Sequence, residues 1–173
     1  LKVDLITTGL NVNLFEKKLS KYCNSKYAIS VNSATSALHI ACLSLGLGKE
    51  DTVWCSANSF VATSNAALYC GAKIDFVDIN LLNYNICIKN LKDKLKKTPK
   101  KKLPKIIIVT HIGGVPADMS KINYLSKKYK FKIIEDASHA LGSEYKDNKI
   151  GSCKYSSICV FSFHPIKTIT TGE

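Results

Sequence analysis

Apolar positions along the chain recur with two periods. Residues 12–23 place Val12, Phe15, Leu19 and Tyr22 on one stripe at helical spacing. Short runs of a different kind, mostly apolar, lie at 26–31 (KYAISV), 51–56 (DTVWCS), 73–79 (KIDFVDI), 105–111 (KIIIVTH), 131–136 (FKIIED) and 155–163 (YSSICVFSF), and each predicts a strand. Between them, 32–48 opens with hydroxyls and continues as an apolar helix that Gly46 and Gly48 end. Residues 59–72 predict a second buried helix closed at Gly71, 87–97 a short basic helix, and 118–130 an amphipathic one. Strands without polar alternation, separated by helices, imply an α/β fold with a mostly parallel sheet covered by helices on both faces. No repeat or linker divides the chain, and the Lys/Pro loop at 97–105 falls between units, not between domains.

Composition changes little in that picture. A chain of 173 residues with 46% hydrophobic content suits one globular domain and argues against disorder. No apolar run approaches the roughly 18 residues of a membrane span, and LKVDLITTGLNVN lacks the basic-then-apolar order of a signal peptide. The chain begins with Leu, so the expectation is that the natural start is missing. The net charge of +12 raises the question of nucleic acid, but every basic residue is Lys. Much of the excess sits in 89–105 and 127–132, and the bidentate fork of Arg is absent. Solvated helix faces and a lysine-rich loop are therefore expected, with no nucleic-acid and no membrane partner. Seven cysteines, an odd number without CxxC, read as buried thiols in a reducing cytoplasm. The four histidines lack metal-site spacing, so no metal is expected.

Candidate chemistry lies where ligands of open parallel sheets bind, beyond the carboxyl ends of the strands. Ser33 and Thr35 follow 26–31, Asn58 and Phe60 follow 51–56, and His111 and Asp136 end their own runs. Ser162, His164 and Lys167 follow the last run, which makes five strand ends on one rim. Dinucleotide, P-loop and nucleophile-elbow motifs are all missing. What remains has its own logic. A helix start with Thr35 and Ser36 can take a phosphate through backbone N–H groups and the helix dipole. Phe60 can stack on a flat ring, Asp136 can pair with a protonated ring nitrogen, and Lys167 can form a Schiff base with an aldehyde. Phosphate, ring, ring nitrogen and aldehyde together describe pyridoxal phosphate. Lys167 stands among Ile166, Ile169 and hydroxyls, a setting that favours an amine able to lose its charge, whereas the lysines at 94, 96, 97 and 100–102 stand among other charges.

Four stretches in order, NSATSALHIA, SFVATSNAALYCGAKIDFVDIN, EDASHALGSEY and FSFHPIKTITTGE, resemble the motifs of the DegT/DnrJ family of pyridoxal-phosphate sugar aminotransferases. The resemblance covers nearly the whole chain and is strongest to the branch that aminates a UDP-linked 4-keto-6-deoxy sugar on the way to pseudaminic acid. It implies the large domain of the fold-type I, aspartate-aminotransferase-like enzymes. It implies Lys167 as Schiff-base lysine and proton shuttle, Asp136 on the pyridine nitrogen and Phe60 stacked on the ring. Thr35, the backbone of Ser36 and Ser162 would hold the phosphate, and His139 would lie near the cofactor. A related dehydratase branch carries His at the lysine position, so Lys167 favours transamination. The implied reaction moves an amino group, from glutamate, to the C4 keto group of a UDP-sugar in a cytoplasmic homodimer. Family members run to about twice this length, so residues 1–173 are expected to be a cofactor-binding large domain lacking a C-terminal small domain and the extreme N-terminus. Two rivals stand beside this reading: a non-catalytic relative that binds cofactor or sugar, and a basic nucleic-acid-binding domain.

Overall fold

The structure, a computed structural model, describes residues 9–171. Residues 1–8 and 172–173, including Gly172 and Glu173 of the last motif, lie outside the described residues. Helix α1 spans Leu10–Cys23 and ends at Asn24 in the left-handed conformation, a residue type that tolerates it. Helix α2 (Ala34–Ser44) starts at Ser33, whose hydroxyl accepts from the Ser36 N–H. Strand β1 (Thr52–Ser56), α3 (Val61–Tyr69), β2 (Lys73–Val77), α4 (Ile88–Lys97), β3 (Ile106–Thr110), α5 (Met119–Tyr129) and β4 (Lys132–Asp136) alternate as the apolar periods imply. A two-residue hairpin, β5 (Glu144–Tyr145) and β6 (Asn148–Lys149), and the short β7 (Ile158–Val160) complete the chain.

The five-stranded sheet has the order β2-β1-β3-β4-β7 and every pairing in it is parallel. Its direction of growth reverses beside β1, with β2 added on one side and β3 on the other. Alternate residues of each strand serve two cores. Val53, Cys55, Ile106, Ile108 and Ile134 pack with Leu38, Cys42 and Ala66 of α2 and α3. Trp54, Ile107, Val109 and Ile133 pack with Leu91, Leu95, Met119 and Ile122 of α4 and α5. Burial on both faces explains why these strands read as continuous apolar runs.

One expected strand is absent. Residues 26–31 form no strand, with Tyr27 and Ile29 largely exposed, because no neighbouring strand offers a ladder. The basic helix α4 behaves as expected: Leu91 and Leu95 face the core and Lys89, Lys92 and Lys96 face solvent. No helix among the described residues is long and apolar enough to cross a membrane.

Candidate active site

Strand β4 ends in two acidic residues that point to opposite faces. Asp136 faces α3 and is only 2% exposed. Its Oδ1 accepts from the Ser138 hydroxyl at 2.7 Å and, at 3.3 Å, from the Ser138 N–H. Its Oδ2 accepts from the hydroxyl of Thr63, on the first turn of α3, at 2.5 Å. Such donors satisfy both oxygens of a buried carboxyl group and fix its orientation. Beside it in register, Thr110 ends β3 on the same face, and its Oγ1 is buried without a hydrogen-bond partner.

Phe60 is the N-cap residue of α3, 72% exposed, so its ring stands at the surface of the rim and is no part of the core. Three residues beyond Asp136, His139 presents Nε2 at 2.9 Å from Nζ of Lys167. The loop that carries His139 is held by close approach. A Cβ on Gly114, whose φ is +82°, would lie 2.8 Å from the His139 carbonyl oxygen. The Ser143 hydroxyl donates to the Gly114 carbonyl at 2.7 Å, which closes the same contact from the far side.

Lys167 lies in a run of turns after β7, anchored by its N–H to the His164 carbonyl at 2.9 Å. The expected apolar surroundings are not what meets its amine: Ile166 is 79% exposed and Ile169 half exposed, and the neighbour at Nζ is the His139 imidazole. Phe163 of the same tail packs edge-on against Phe15 of α1, with ring centroids 5.0 Å apart. Ser162 is half-buried and its Oγ accepts the His164 N–H at 3.4 Å.

Thr35 and Ser36 occupy the first turn of α2. Ala34, at the head of that turn, packs against the apolar cluster that also contains Val160 at the end of β7. The Ser36 N–H is engaged by the Ser33 hydroxyl at 3.2 Å, a long bond, and the two hydroxyls lie 3.0 Å apart. Four strand ends, not five, therefore make the rim, and the α2 start takes the place of the fifth. His111 stands apart from it. It is fully buried beside the other acidic residue, with Nε2 at 2.8 Å from Glu135 Oε2 and Nδ1 accepting the Ala117 N–H at 3.1 Å. That acceptance puts the imidazole proton on Nε2, facing the carboxylate. The Ser156 hydroxyl donates to the other oxygen of Glu135.

Sequence reasoning overlooked Thr63, Ser138 and Thr110. The first two lie inside recognised stretches, and a hydroxyl at a helix position flanked by core-facing alanines was the available signal for Thr63. Nothing in the run IIIVT separates Thr110 from a strand residue of ordinary β-propensity.

The family model described as DegT/DnrJ/EryC1/StrS aminotransferase family matches residues 1–173. The chain belongs to the DegT/DnrJ/EryC1/StrS aminotransferase family. It is 46% identical over 173 residues to a UDP-4-amino-4,6-dideoxy-N-acetyl-beta-L-altrosamine transaminase of Campylobacter jejuni, covering all of this chain and 44% of that protein. Among solved structures it is similar to the Helicobacter pylori aminotransferase PseC, involved in pseudaminic acid biosynthesis, at 32% identity and a TM-score of 0.86, over 99% of this chain and 44% of that one. A sugar aminotransferase Spr1654 of Streptococcus pneumoniae, in its PLP form, gives a TM-score of 0.89 at 29% identity, over 99% of this chain and 46% of the other. The chain thus spans less than half the length of these DegT/DnrJ/EryC1/StrS relatives. The parallel sheet with helices on both faces is the fold-type I large-domain architecture that these neighbours share.

Proposed function

We propose that the protein is a pyridoxal-phosphate aminotransferase that moves an amino group, from glutamate, onto the C4 keto group of a UDP-linked 4-keto-6-deoxy sugar. Residues 1–173 serve it as the cofactor-binding large domain. The observation that carries the reading is the pairing of Lys167 with His139 three residues beyond the buried, hydroxyl-held Asp136. The Campylobacter relative supports the substrate class, and the PLP form of the pneumococcal neighbour supports the cofactor.

The residues fit that cofactor. A partnerless buried hydroxyl on Thr110, a hydroxyl-held carboxyl group on the same face and an exposed aromatic ring suit a flat heteroaromatic base better than water. When bound, pyridoxal phosphate supplies an electron sink and a carbon that carries the amino group. Asp136 holds the proton on the ring nitrogen. Phe60 covers one ring face and excludes water from it. Thr35, Ser162 and the first-turn N–H groups of α2 bind the phosphate, for which the Ser36 N–H exchanges its long bond to Ser33. Lys167 anchors the cofactor through Nζ and, when released, moves the proton at the reacting carbon. His139 accepts a hydrogen bond from that amine and holds it above the rim. A homodimer in the cytoplasm completes the proposal.

The test is borohydride reduction of the full chain with pyridoxal phosphate, followed by peptide mass spectrometry and by assay with a UDP-4-keto sugar and glutamate. The expected result is one adduct on Lys167 and a 4-amino sugar product. Adducts spread over many lysines, or none, overturn the reading.

A further inference from the structure

Thr63 has no place in the roles above, yet it makes the shortest contact to the Asp136 carboxylate. Its hydroxyl lies 2.5 Å from Oδ2, across 73 positions of sequence, and both residues are buried. A helical Thr ordinarily turns its hydroxyl to a carbonyl of its own helix. The next residue does so: Ser64 donates to the Val61 carbonyl at 3.1 Å. Thr63 instead reaches out of α3 to the sheet. It stands three residues after Phe60, which caps the same turn, and its own N–H donates to the Phe60 carbonyl at 3.0 Å. One turn of helix therefore carries both the exposed ring and the clamp on the carboxylate. The other carboxylate oxygen is held by Ser138 from the strand side, so the two donors fix the plane of the group from two elements.

We infer that Thr63 is a positioning residue for Asp136: its hydroxyl fixes the orientation of the carboxylate that faces the ring nitrogen, and ties the height of Phe60 to it. The inference rests on the proposed cofactor. Losing that donor leaves a buried carboxyl oxygen without its partner and the group free to turn. Each carboxylate oxygen has room for two donors, so Oδ2 can hold Thr63 and a ring N–H together. A valine at this position keeps the shape of the side chain and removes only the donor; a serine keeps the donor and removes a methyl.

The experiment uses the full chain and two probes. The first is 4′-deoxypyridoxine 5′-phosphate, which lacks the aldehyde and so reports ring and phosphate contacts without Lys167. The second is pyridoxal phosphate labelled with ¹⁵N, whose ring-nitrogen shift distinguishes pyridinium from pyridine. Thr63→Val is expected to weaken the deoxy analogue by about tenfold and to move the ¹⁵N shift toward the unprotonated ring, while Thr63→Ser stays within about threefold and keeps the pyridinium shift. A purely structural role lowers the melting temperature of the apoprotein in both variants and leaves the shift alone, which overturns the inference. A wild-type chain that binds neither probe overturns the cofactor reading and this inference with it, whereas binding by wild type with an unchanged Thr63→Val variant overturns this inference alone.

Discussion

Nζ of Lys167 lies 2.9 Å from Nε2 of His139, in a chain where 28 positions separate the two. The amine has one aromatic nitrogen as its partner while the flanking isoleucines face solvent. Lys167→Arg is expected to abolish the borohydride-trapped adduct on this tail, since a guanidinium keeps its charge. His139→Asn is expected to keep the adduct but slow its formation by about tenfold, as a lost hydrogen bond near 1.4 kcal/mol predicts. Stopped-flow absorbance after mixing with pyridoxal phosphate measures the rate.

Gly114 touches no candidate site residue through a side chain, yet its backbone sits against His139. Gly114→Ala combines a positive φ with a Cβ 2.8 Å from a carbonyl oxygen that is backbone and cannot swing away. The variant is expected to lose about 2 kcal/mol of stability and, by moving the His139 loop, to slow capture of the cofactor. Urea unfolding read against the same stopped-flow assay separates the two effects.

On the other face of the sheet, His111 is the hydrogen-bond donor to Oε2 of the buried Glu135. His111→Ala leaves that carboxylate with the Ser156 hydroxyl alone and is expected to cost about 3 kcal/mol. Ser156→Ala leaves His111 in place and is expected to cost about 1 kcal/mol. Midpoints of chemical denaturation, compared at constant slope, test the order.

Asp118 caps α5 and ties it to the β5–β6 hairpin. Burial on its own raises its pKa, but donors outweigh that: Lys121 at 2.7 Å, Tyr145 at 2.6 Å and Ser120 at 3.2 Å bring the carboxyl down to about 2. The folded value lies below the unfolded one near 4, so the stabilisation is complete above about pH 4 and is lost as pH falls toward 2. Solvent reaches the pair, which limits the effect to about 1 kcal/mol. Asp118→Asn is expected to flatten the stability profile between pH 4 and 2 while changing little about the slope below it.

Thiols supply a simpler expectation. Burial pushes Cys42 up to about 12, and burial also lifts Cys55 far above an ordinary thiol. Neither is expected to react with iodoacetamide at pH 8 in the folded protein, and both are expected to react in urea, because the thiolate is the nucleophile. Alkylation mapped by mass spectrometry decides it.

Apolar runs, periods and glycine stops located the five sheet strands and all five helices, although the stripe read on α1 leaves Val12 and Tyr22 well exposed and buries only Cys23 of that helix. They failed at residues 26–31, where apolar character suggests a strand but no ladder is on hand. The β5–β6 hairpin was hidden for the opposite reason. Its two-residue turn places Lys146 and Asp147 at φ 48° and 59°, a conformation usually announced by Asn-Gly. In the site, Asp136, Phe60 and Lys167 were legible as residue types at strand ends. Thr63 and Ser138 were not, since their importance lies in which oxygen each meets, and the Thr63 contact joins α3 to β4 across 73 positions of sequence. The solvent-facing isoleucines beside Lys167 were likewise invisible to a reading that takes neighbours in sequence for neighbours in space.

The place of β7 after β4 in the chain gives the proposed site an order in time. Phe60, Thr63 and Asp136 all belong to elements complete by residue 136, and β4 can pair with β3 before β7 exists. Strand β7 is three residues long, pairs with β4 alone among the described residues and leads directly into the lysine tail. Chains emerge from the ribosome N-terminus first, at roughly 5–20 residues per second. Asp136 and Thr63 are thus synthesised seconds before Lys167, so the lysine proposed as the anchor reaches a carboxylate whose hydroxyl donor is already in the chain.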